Sequence, residues 1–457
     1  MGVMLDAAAS EPPRVEVRPP GPGRRTPLQN VVAQLKFLYD PFGTVAQRFA
    51  RYGDVYWVEQ STGPLFVFRH PDHIKEILVS KAADFDKQHA AFQRLSLLLG
   101  DALLTSDGER WRRQRRLVQP AFARPRLAAY STAMVDEAAR CCERLAYSGK
   151  VDLSREMNRL TLSIVTRTLF GLTLDEGGQT AHAMRELNRW FATPPLFMRF
   201  QRDAAQRFDC VVATLDALIQ RLIETKHQAL AQNPESDDLL SALLAARDES
   251  GERLGERELR DQLLTLYLAG HETTSHALTW TLYLLSQNHA ACERLREEHA
   301  RVLGGRLPTF DDVSQLAYTE CVIKEALRLY PPAALIPRRA SADTRVGDWQ
   351  IPKGAEIVMW VYQTHRDARW FPEPDRFRPE RFEPEREAER PKYAWLPFGA
   401  GQRACIGSVF AMLEAQLVLA TLLPKLDFEY LRRRKPRPSR GVTLAPSGGM
   451  PMRVRRA

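Results

Sequence analysis

The chain has 457 residues, of which 44% are hydrophobic and 26% charged, and its formal net charge is +9. A chain of this length and apolar content can bury a substantial core without disulfides, and its six cysteines have neither zinc-type nor secreted-framework spacing. We therefore expect a reducing, cytoplasmic compartment. The positive charge is spread along the chain without a recognisable nucleic-acid-binding module, which argues against nucleic acid as a partner.

The N-terminal 27 residues are rich in proline, and Pro12, Pro13, Pro19, Pro20 and Pro22 oppose helix formation. We predict a flexible arm over residues 1–27 and one folded domain over residues 28–457, because no linker or compositional break divides the interior. The beginning of the chain contains no apolar run near the ~18 to 20 residues that span a bilayer, so we expect no integral membrane anchor.

Hydrophobic periodicity predicts a mainly helical fold with small β-sheets. A helix is expected near residues 41–52, followed by a hairpin of strands at 55–58 and 65–68. Residues 70 to 300 are predicted to be mostly helical, and 340 to 380 irregular with short strands such as 356–361. A helix after residue 405 and a basic, strand-like tail complete the prediction.

A basic helix is predicted around residues 108–116, and it places Trp111 and Arg115 four residues apart on one face. Their indole and guanidinium N–H groups can donate to the same acidic ligand. For Arg112, Arg113 and Arg116 the alternatives are a solvated face and a surface that binds a partner protein.

The longest predicted helix covers residues 256–287, about 48 Å at ~1.5 Å per residue. Its centre is apolar on nearly every side, which is typical of a helix buried in the middle of a domain. The hexapeptide Ala269-Gly-His-Glu-Thr-Thr274 interrupts this apolar stretch, and buried polar groups are costly unless paired, hydrated or functional. Thr273 can bond back to a carbonyl one turn earlier. By itself the motif also fits a helix kink with satisfied polar groups.

Two motifs lie further along the chain. Glu325 and Arg328 are three residues apart on one helix face, which alone describes a common ion pair, and Arg381 follows about 50 residues later. The segment Phe398-Gly-Ala-Gly-Gln-Arg-Ala-Cys-Ile-Gly407 places Cys405 at the start of a predicted helix. There the helix dipole and the charge of Arg403 favour a thiolate, whereas an isolated cysteine would be interpreted as an ordinary buried thiol.

The spacing of Phe398, Gly401, Arg403, Cys405 and Gly407 resembles the haem-binding signature of the cytochrome P450 superfamily, and the lack of an N-terminal membrane anchor favours a soluble, bacterial-type member. The resemblance implies a single haem domain with the long helix over haem b. In it Cys405 is the iron ligand, whose electron donation favours O–O cleavage. O2 is then a co-substrate.

The resemblance also assigns roles to the other motifs. Trp111, Arg115, Arg403 and Arg338 match the residues that hold the haem propionates, although Arg339 could replace Arg338 if that turn is shifted. Thr273 and Glu272 match the acid–alcohol pair that delivers protons to bound dioxygen, with Ala269 and Gly270 facing the haem. Glu325, Arg328 and Arg381 match a buried structural triad.

The implied activity is insertion of one oxygen atom from O2 into a lipophilic substrate, most simply as a hydroxylation. We expect a monomer that receives electrons from a ferredoxin or flavodoxin with its reductase, so that NAD(P)H acts indirectly. A haem-thiolate peroxygenase or isomerase and a non-enzymatic haem sensor are the alternatives. The substrate is expected to be a fatty acid or a terpenoid or steroid-like molecule, and the predicted pocket residues are Phe85, Phe92, Phe191, Leu335, Ile336 and Gly448.

Overall fold

The computed structural model describes residues 18–23, 27–60, 63–171, 186, 203–232, 238–439 and 441–457. Most of the predicted arm and the predicted pocket residue Phe191 lie outside the described residues. Where the sequence predicted an arm to residue 27 and a first helix near 41, the structure has an additional helix that begins at Pro27. Proline suits this first helical position, because its missing N–H would have no partner there.

The α-helices of the described residues follow in chain order: α1 (Pro27–Tyr39), α2 (Pro41–Tyr52), α3 (Pro71–Lys75), α4 (Ala90–Leu99), α5 (Gly108–Val118), α6 (Arg124–Ala146), α7 (Leu153–Phe170), α8 (Ala204–Gln232), α9 (Leu239–Ala245), α10 (Glu256–Ser286), α11 (His289–Leu303), α12 (Ala317–Leu329), α13 (Val361–Thr364), α14 (Pro384–Ala388) and α15 (Ser408–Leu422). The fold is therefore mainly helical, as predicted. Among these described helices, none combines the length and apolar character needed to cross a bilayer.

The described strands form three small sheets. They are β1 (Val55–Gln60), β2 (Gly63–Phe68), β3 (Phe85–Asp86), β4 (Lys150–Asp152), β5 (Ile336–Ala340), β6 (Thr344–Val346), β7 (Trp349–Ile351), β8 (Glu356–Met359), β9 (Leu426–Tyr430) and β10 (Pro451–Arg456). The largest sheet has the order β1-β2-β8-β5-β3, the second β4-β10-β9, and β6 pairs with β7. Strands β1 and β2 form the predicted antiparallel hairpin, with Val55 opposite Phe68.

Helix α10 is the predicted central helix and ends one residue earlier than expected, at Ser286. Glu256 and Glu258 in its first turn complement the helix dipole, and from Leu259 onwards almost every side chain is buried. It packs most extensively against α7 and also against α12 and α15. The middle of the domain is therefore built around this helix.

The segment before α15 connects the sheet region to the helical core. Strand β8 ends at Met359, two residues before the predicted end, because Val361 begins the short helix α13. Helix α15 begins at Ser408, as predicted for a helix after Cys405, and packs against α6, α10 and α12. The loop that carries Cys405 thus lies between the sheet region and the helical core.

Candidate active site

The loop around Cys405 is fixed by its own backbone. The Cys405 N–H donates to the carbonyl of Phe398 over 2.8 Å, which closes the loop. Gly401 has a φ of 69°, and a Cβ there would lie 2.1 Å from the carbonyl oxygen of Leu78, so only glycine fits. Gly407 has an ordinary φ of −90° and caps α15. These contacts therefore require glycine at Gly401 but not at Gly407.

Cys405 is surrounded by protein, yet its side chain is reached by solvent, so it borders an opening inside the molecule. Burial raises the pKa of this thiol, while the N–H of Gly407 and the charge of Arg115 act in the opposite direction. The sequence suggested Arg403 for this charge, but Arg403 donates to the carbonyl of Ser106 instead. A coordinated metal cation would deprotonate the thiol outright.

The centre of α10 is accessible to solvent at one place. Ala269 is exposed and Gly270 and Thr273 are half-buried, although the residues around them on the same helix are buried. Ala269 and Thr273 lie one turn apart on one face. The Thr273 hydroxyl donates to the carbonyl of Ala269 over 2.7 Å, as the sequence predicted. An alcohol group therefore lies at an opening in an otherwise closed core.

A side chain at position 270 would point in a different direction from the one predicted. A Cβ at this position would lie 3.3 Å from the Cγ2 atom of Val165 on α7, so the glycine allows α10 and α7 to approach closely. The prediction that Gly270 faces the haem is therefore not supported for its Cα–Cβ direction. Its carbonyl accepts a hydrogen bond from the Thr274 hydroxyl over 3.1 Å.

Glu272 is buried on α10 beside two histidines. His276, one turn later, has its Nε2 atom 3.6 Å from a Glu272 carboxylate oxygen. Neither ring nitrogen of His276 has a hydrogen-bond partner among the described residues. His271 is fully buried, and its Nδ1 atom lies 2.7 Å from the carbonyl of Tyr267. Burial lowers the pKa of His271 and favours the neutral imidazole. The spacing of Glu272 and His276 was visible in the sequence, but His276 was not singled out.

A cluster of buried cations lies near the Cys405 loop. Lys87, Arg338 and Arg403 interact electrostatically with one another and with Asp107. Burial, reinforced by repulsion, lowers the pKa of Lys87 well below its usual value and those of Arg338 and Arg403 to about 10. Arg115 adds a fourth cation, which donates to the carbonyl of Ala404 over 2.8 Å. Asp107 pairs with Arg403 but is one carboxylate among several cations, and because uncompensated buried charge is costly, the cluster favours a further anion.

The structure decides which of the two adjacent arginines, Arg338 or Arg339, lies near the Cys405 loop. Arg338 is buried in β5 and belongs to the cation cluster. Arg339 is half-exposed, interacts with Asp86 and has its Nη2 atom 3.6 Å from the Cβ position of Gly354. Successive residues of a strand point to opposite faces, so only Arg338 of this pair reaches the cluster.

Two members of the cluster, Lys87 and Asp107, were not predicted from the sequence. The Lys87 ammonium donates to the carbonyl of Leu104 over 2.5 Å, and the Lys87 N–H donates to Asp107 over 2.7 Å. Trp111 is buried on α5, and the Arg403 guanidinium lies 4.0 Å from its ring centroid. No local pattern marks Lys87, because the chain brings it to Arg338 and Arg403 only through the fold.

These observations fit haem. Its two propionates are anions of the kind that the buried cations need, and Cys405 on its loop and Ala269 and Thr273 on α10 are each accessible enough to meet a ligand. The residues present can therefore hold the group, with Cys405 as the metal ligand. A cysteine thiolate is one of the ligands that hold haem iron in proteins.

The predicted triad is brought together. Glu325 accepts from Arg328 over 2.6 and 2.8 Å, and Arg381 Nε lies 3.4 Å from a Glu325 oxygen. Arg328 also donates to the carbonyls of His365 and Pro374, each over 2.8 Å. All three triad side chains are buried, so the cluster ties α12 to the segment before the Cys405 loop.

The structure supports the predicted place of some pocket residues and not of others. Ile336 Cδ1 lies 3.9 Å from the Cβ position of Gly399 in the Cys405 loop, so Ile336 suits a wall beside the site, whereas Leu335 is 36% exposed and no described contact places it at that loop. Phe92 on α4 is buried below the Lys87 ammonium, 4.9 Å away. Phe85 instead packs in the core of the large sheet, which does not support its predicted place in the pocket.

Gly448 is also placed differently from the prediction. Its carbonyl accepts from Arg432 over 2.8 Å, and a Cβ on the adjacent Gly449 would lie 2.5 Å from the Asp152 carboxylate. These contacts place the turn at the β4-β10-β9 sheet. The residue is therefore part of the turn that leads into β10, and no described contact joins it to the Cys405 loop.

Together, the fold and the site define a haem-thiolate enzyme. The chain belongs to the cytochrome P450 family, because a sequence model described as Cytochrome P450 matches residues 19–451. It is accordingly a haem-binding monooxygenase that uses O2.

Individual relatives are similar over most of their length. The chain is 37% identical to cyclooctatin synthase of Streptomyces melanosporofaciens over 412 residues, covering 86% of this chain and 88% of that protein. It is 35% identical to pentalenene oxygenase of Streptomyces avermitilis over 380 residues, covering 81% and 83%. It is also 33% identical to a cytokinin hydroxylase of Arabidopsis thaliana over 413 residues, covering 88% and 80%.

Proposed function

We propose that this protein hydroxylates a terpenoid substrate at an unactivated carbon. The observation that carries the proposal is its similarity, over more than four fifths of the chain, to relatives named cyclooctatin synthase and pentalenene oxygenase. Ile336 supports it, because it offers an apolar side chain beside the Cys405 loop to a hydrocarbon skeleton.

In this proposal Cys405 holds the haem iron, while Lys87, Arg338, Arg403 and Arg115 hold the propionates together with the Trp111 indole. Bound haem supplies the activation of O2 and the insertion of one oxygen atom into a C–H bond. Arg115 has two roles, because its charge favours the Cys405 thiolate and its guanidinium fixes the Ala404 carbonyl. The buried cations thereby orient the cofactor before substrate arrives.

Thr273 and Glu272 move protons to the oxygen-binding side. The Thr273 hydroxyl donates to Ala269 at rest and can turn towards the opening, where it becomes a donor to a polar ligand. Glu272 is a buried acid one residue away, and His276 lies within reach of its carboxylate. A carboxyl, an imidazole and an alcohol within two turns of one helix can pass a proton in short steps.

The electron donor is proposed to be an acidic ferredoxin or flavodoxin that is itself reduced by NAD(P)H through a reductase. Helix α5 supports this, since Arg115 on its inner side contacts the Cys405 loop while Arg112 and Arg116 are exposed. Their charge is partly offset, because Arg112 pairs with Glu109 and Arg116 with Glu249 at 3.4 Å. An acidic partner would compete with these exposed, weak pairs.

The remaining expectations concern the state of the protein in the cell. We propose that it acts as a monomer in the cytoplasm, where cysteines stay reduced. All six cysteines are free in the structure, including the adjacent buried pair Cys141 and Cys142.

The experiment that tests the substrate class is a spectral titration of the haem-loaded protein with cyclic terpene hydrocarbons, terpene alcohols and fatty acids of similar carbon number. We expect a low-spin to high-spin shift of the Soret band with cyclic terpenoids and hydroxylated products after reconstitution. Tighter binding and turnover of the linear fatty acids would refute the terpenoid assignment and leave the monooxygenase class unchanged.

A further inference from the structure

A cavity lies between the end of α11 and the end of α15. Its volume is about 270 Å³, close to the ~300 Å³ at which small-molecule sites begin. The apolar side chains in its wall include Leu303, Leu307, Ala420 and Pro424. Helix α15 has 15 residues and is about 22 Å long, and Cys405 precedes its opposite end. The cavity is therefore separate from the haem site.

One buried histidine in the wall of this cavity has a fixed tautomer. His299 on α11 is 1% exposed, and its Nε2 atom lies 3.0 Å from the hydroxyl oxygen of Thr319 on α12. That hydroxyl donates to a Glu298 carboxylate oxygen over 2.7 Å, and the same oxygen accepts from the Thr319 N–H over 2.9 Å. Because the single hydroxyl proton is used in this way, the Thr319 oxygen accepts from His299, and the imidazole proton is on Nε2.

The other ring nitrogen of His299 is an acceptor that lacks a donor. Burial lowers the pKa of His299 from 6.5 to about 4, so the ring is neutral at physiological pH and Nδ1 carries a lone pair. Nδ1 is buried and has no hydrogen-bond partner in the part of the chain that the structure describes. An unpaired buried acceptor costs free energy. Since Nε2 is turned to α12, Nδ1 is the ring atom left to meet a donor from the cavity.

The charged groups at the cavity do not favour an ion as its ligand. Arg306 donates to the two carboxylate oxygens of Asp312 over 2.6 Å each, and Arg296 pairs with Asp427. Lys425 is exposed to water at the rim. A carboxylate ligand would also place an acceptor against the Nδ1 acceptor. The ligand that fits is therefore uncharged, mostly apolar, and carries a hydrogen-bond donor.

We propose that this cavity binds a small lipophilic alcohol or phenol, whose hydroxyl donates to His299 Nδ1 and whose hydrocarbon part covers Leu303 and Leu307. A water molecule would satisfy the nitrogen, but it would leave the apolar wall in contact with solvent, including Leu307, which is 40% exposed. This second binding site goes beyond the proposed hydroxylation and does not depend on it.

The test measures binding of para-fluorophenol to the haem-loaded full chain by fluorine NMR, with the substrate pocket filled by an azole that coordinates the iron. The matched probe is para-fluoroanisole, because its ether oxygen has no proton to donate. We expect the phenol to bind, and the ether to bind at least about tenfold more weakly, since the ether leaves Nδ1 unpaired. Binding of the phenol only in the absence of the azole would place it at the haem and overturn the proposal.

Two variants test the wall of the cavity. His299→Phe removes the acceptor, and Leu307→Glu places a charge against the apolar wall, so each should weaken phenol binding at least about tenfold. The control Leu97→Glu on α4 changes a side chain that is 61% exposed and should leave binding unchanged.

The CO spectrum and the thermal transition report whether each variant is folded. Leu307→Glu alters an exposed position outside the hydrogen bonds of His299 and Thr319, so it still tests the site if His299→Phe does not fold. Absence of phenol binding to the wild type would overturn the proposal. Equal binding of the two probes, or unchanged binding in Leu307→Glu, would overturn it as well.

Discussion

The buried triad offers the sharpest test of how the fold supports the site, through the substitution Glu325→Gln. Glu325 has no exposed side-chain surface and accepts two hydrogen bonds from Arg328, one of 2.8 Å from the Arg378 N–H, and an ion pair from Arg381. Glutamine preserves the shape but removes the charge and turns one acceptor into a donor that faces a guanidinium.

The expected cost follows from this burial. Breaking a buried ion pair by neutralising one partner costs about 3–5 kcal/mol, because the remaining charge is left in a low-dielectric interior. The free energy of unfolding should fall by that amount, which shifts the ratio of folded to unfolded protein by more than about a hundredfold. Arg328 retains its three backbone carbonyl acceptors, so the fold is weakened rather than abolished.

The assay is urea unfolding of the haem-loaded protein, followed by circular dichroism and by the Soret band. The control Glu320→Gln lies on the same helix, where Glu320 is 45% exposed and pairs with Lys324 at 3.0 Å, four residues away. That exposed pair is expected to contribute only about 0.3–0.5 kcal/mol. Equal losses in the two variants would refute the argument that burial decides the cost.

Three further outcomes are expected. Lys87→Met should release haem to apomyoglobin about tenfold faster or more, since a charged donor is lost, whereas Arg339→Met on the outer face of β5 should not change the rate. Burial lowers the pKa of His365 from 6.5 to about 3. Between these two pH values the imidazole is protonated in the unfolded state but not in the folded state. The free energy of unfolding therefore falls by up to ~1.4 kcal/mol for each unit by which the pH is lowered through this range. His365→Gln, which can still accept from the Leu396 N–H, should reduce that slope in urea unfolding between pH 7 and 5, and an unchanged slope would remove His365 from the acid response. Thr273→Ala should raise the peroxide released per NADPH consumed, and an unchanged ratio would exclude Thr273 from proton delivery.

Periodicity and local motifs were sufficient for the elements that carry the site. The central helix was predicted to within one residue because its apolar stretch is long, and the hairpin of β1 and β2 followed from alternation around a turn. The acid and base of the triad share one helix face, so Glu325 and Arg328 could be paired from spacing alone. The Cys405 segment was recognisable because its glycines and cysteine have fixed spacing.

Periodicity and local motifs could not predict the direction in which a residue faces, nor which residues distant in the sequence lie close together. A helix that is apolar on all sides gives no indication of which residue faces a ligand, and a Cβ at Gly270 would meet Val165 on α7. Lys87 meets Arg338 only because β5 and the segment before α4 are brought together by the fold. Gly448 was predicted as a pocket residue, but β10 pairs with β4 and holds that turn at another sheet.

The most direct test of the central claim is the spectrum of the reduced, CO-bound protein, recorded for the wild type and for Cys405→Ala. The account predicts the strongly red-shifted Soret band of a thiolate ligand in the wild type and its loss in the variant, since the cation cluster of Lys87, Arg338 and Arg403 is intact in both. A wild type that binds haem without the red-shifted band, or a variant that retains it, would contradict the assignment of Cys405 as the iron ligand.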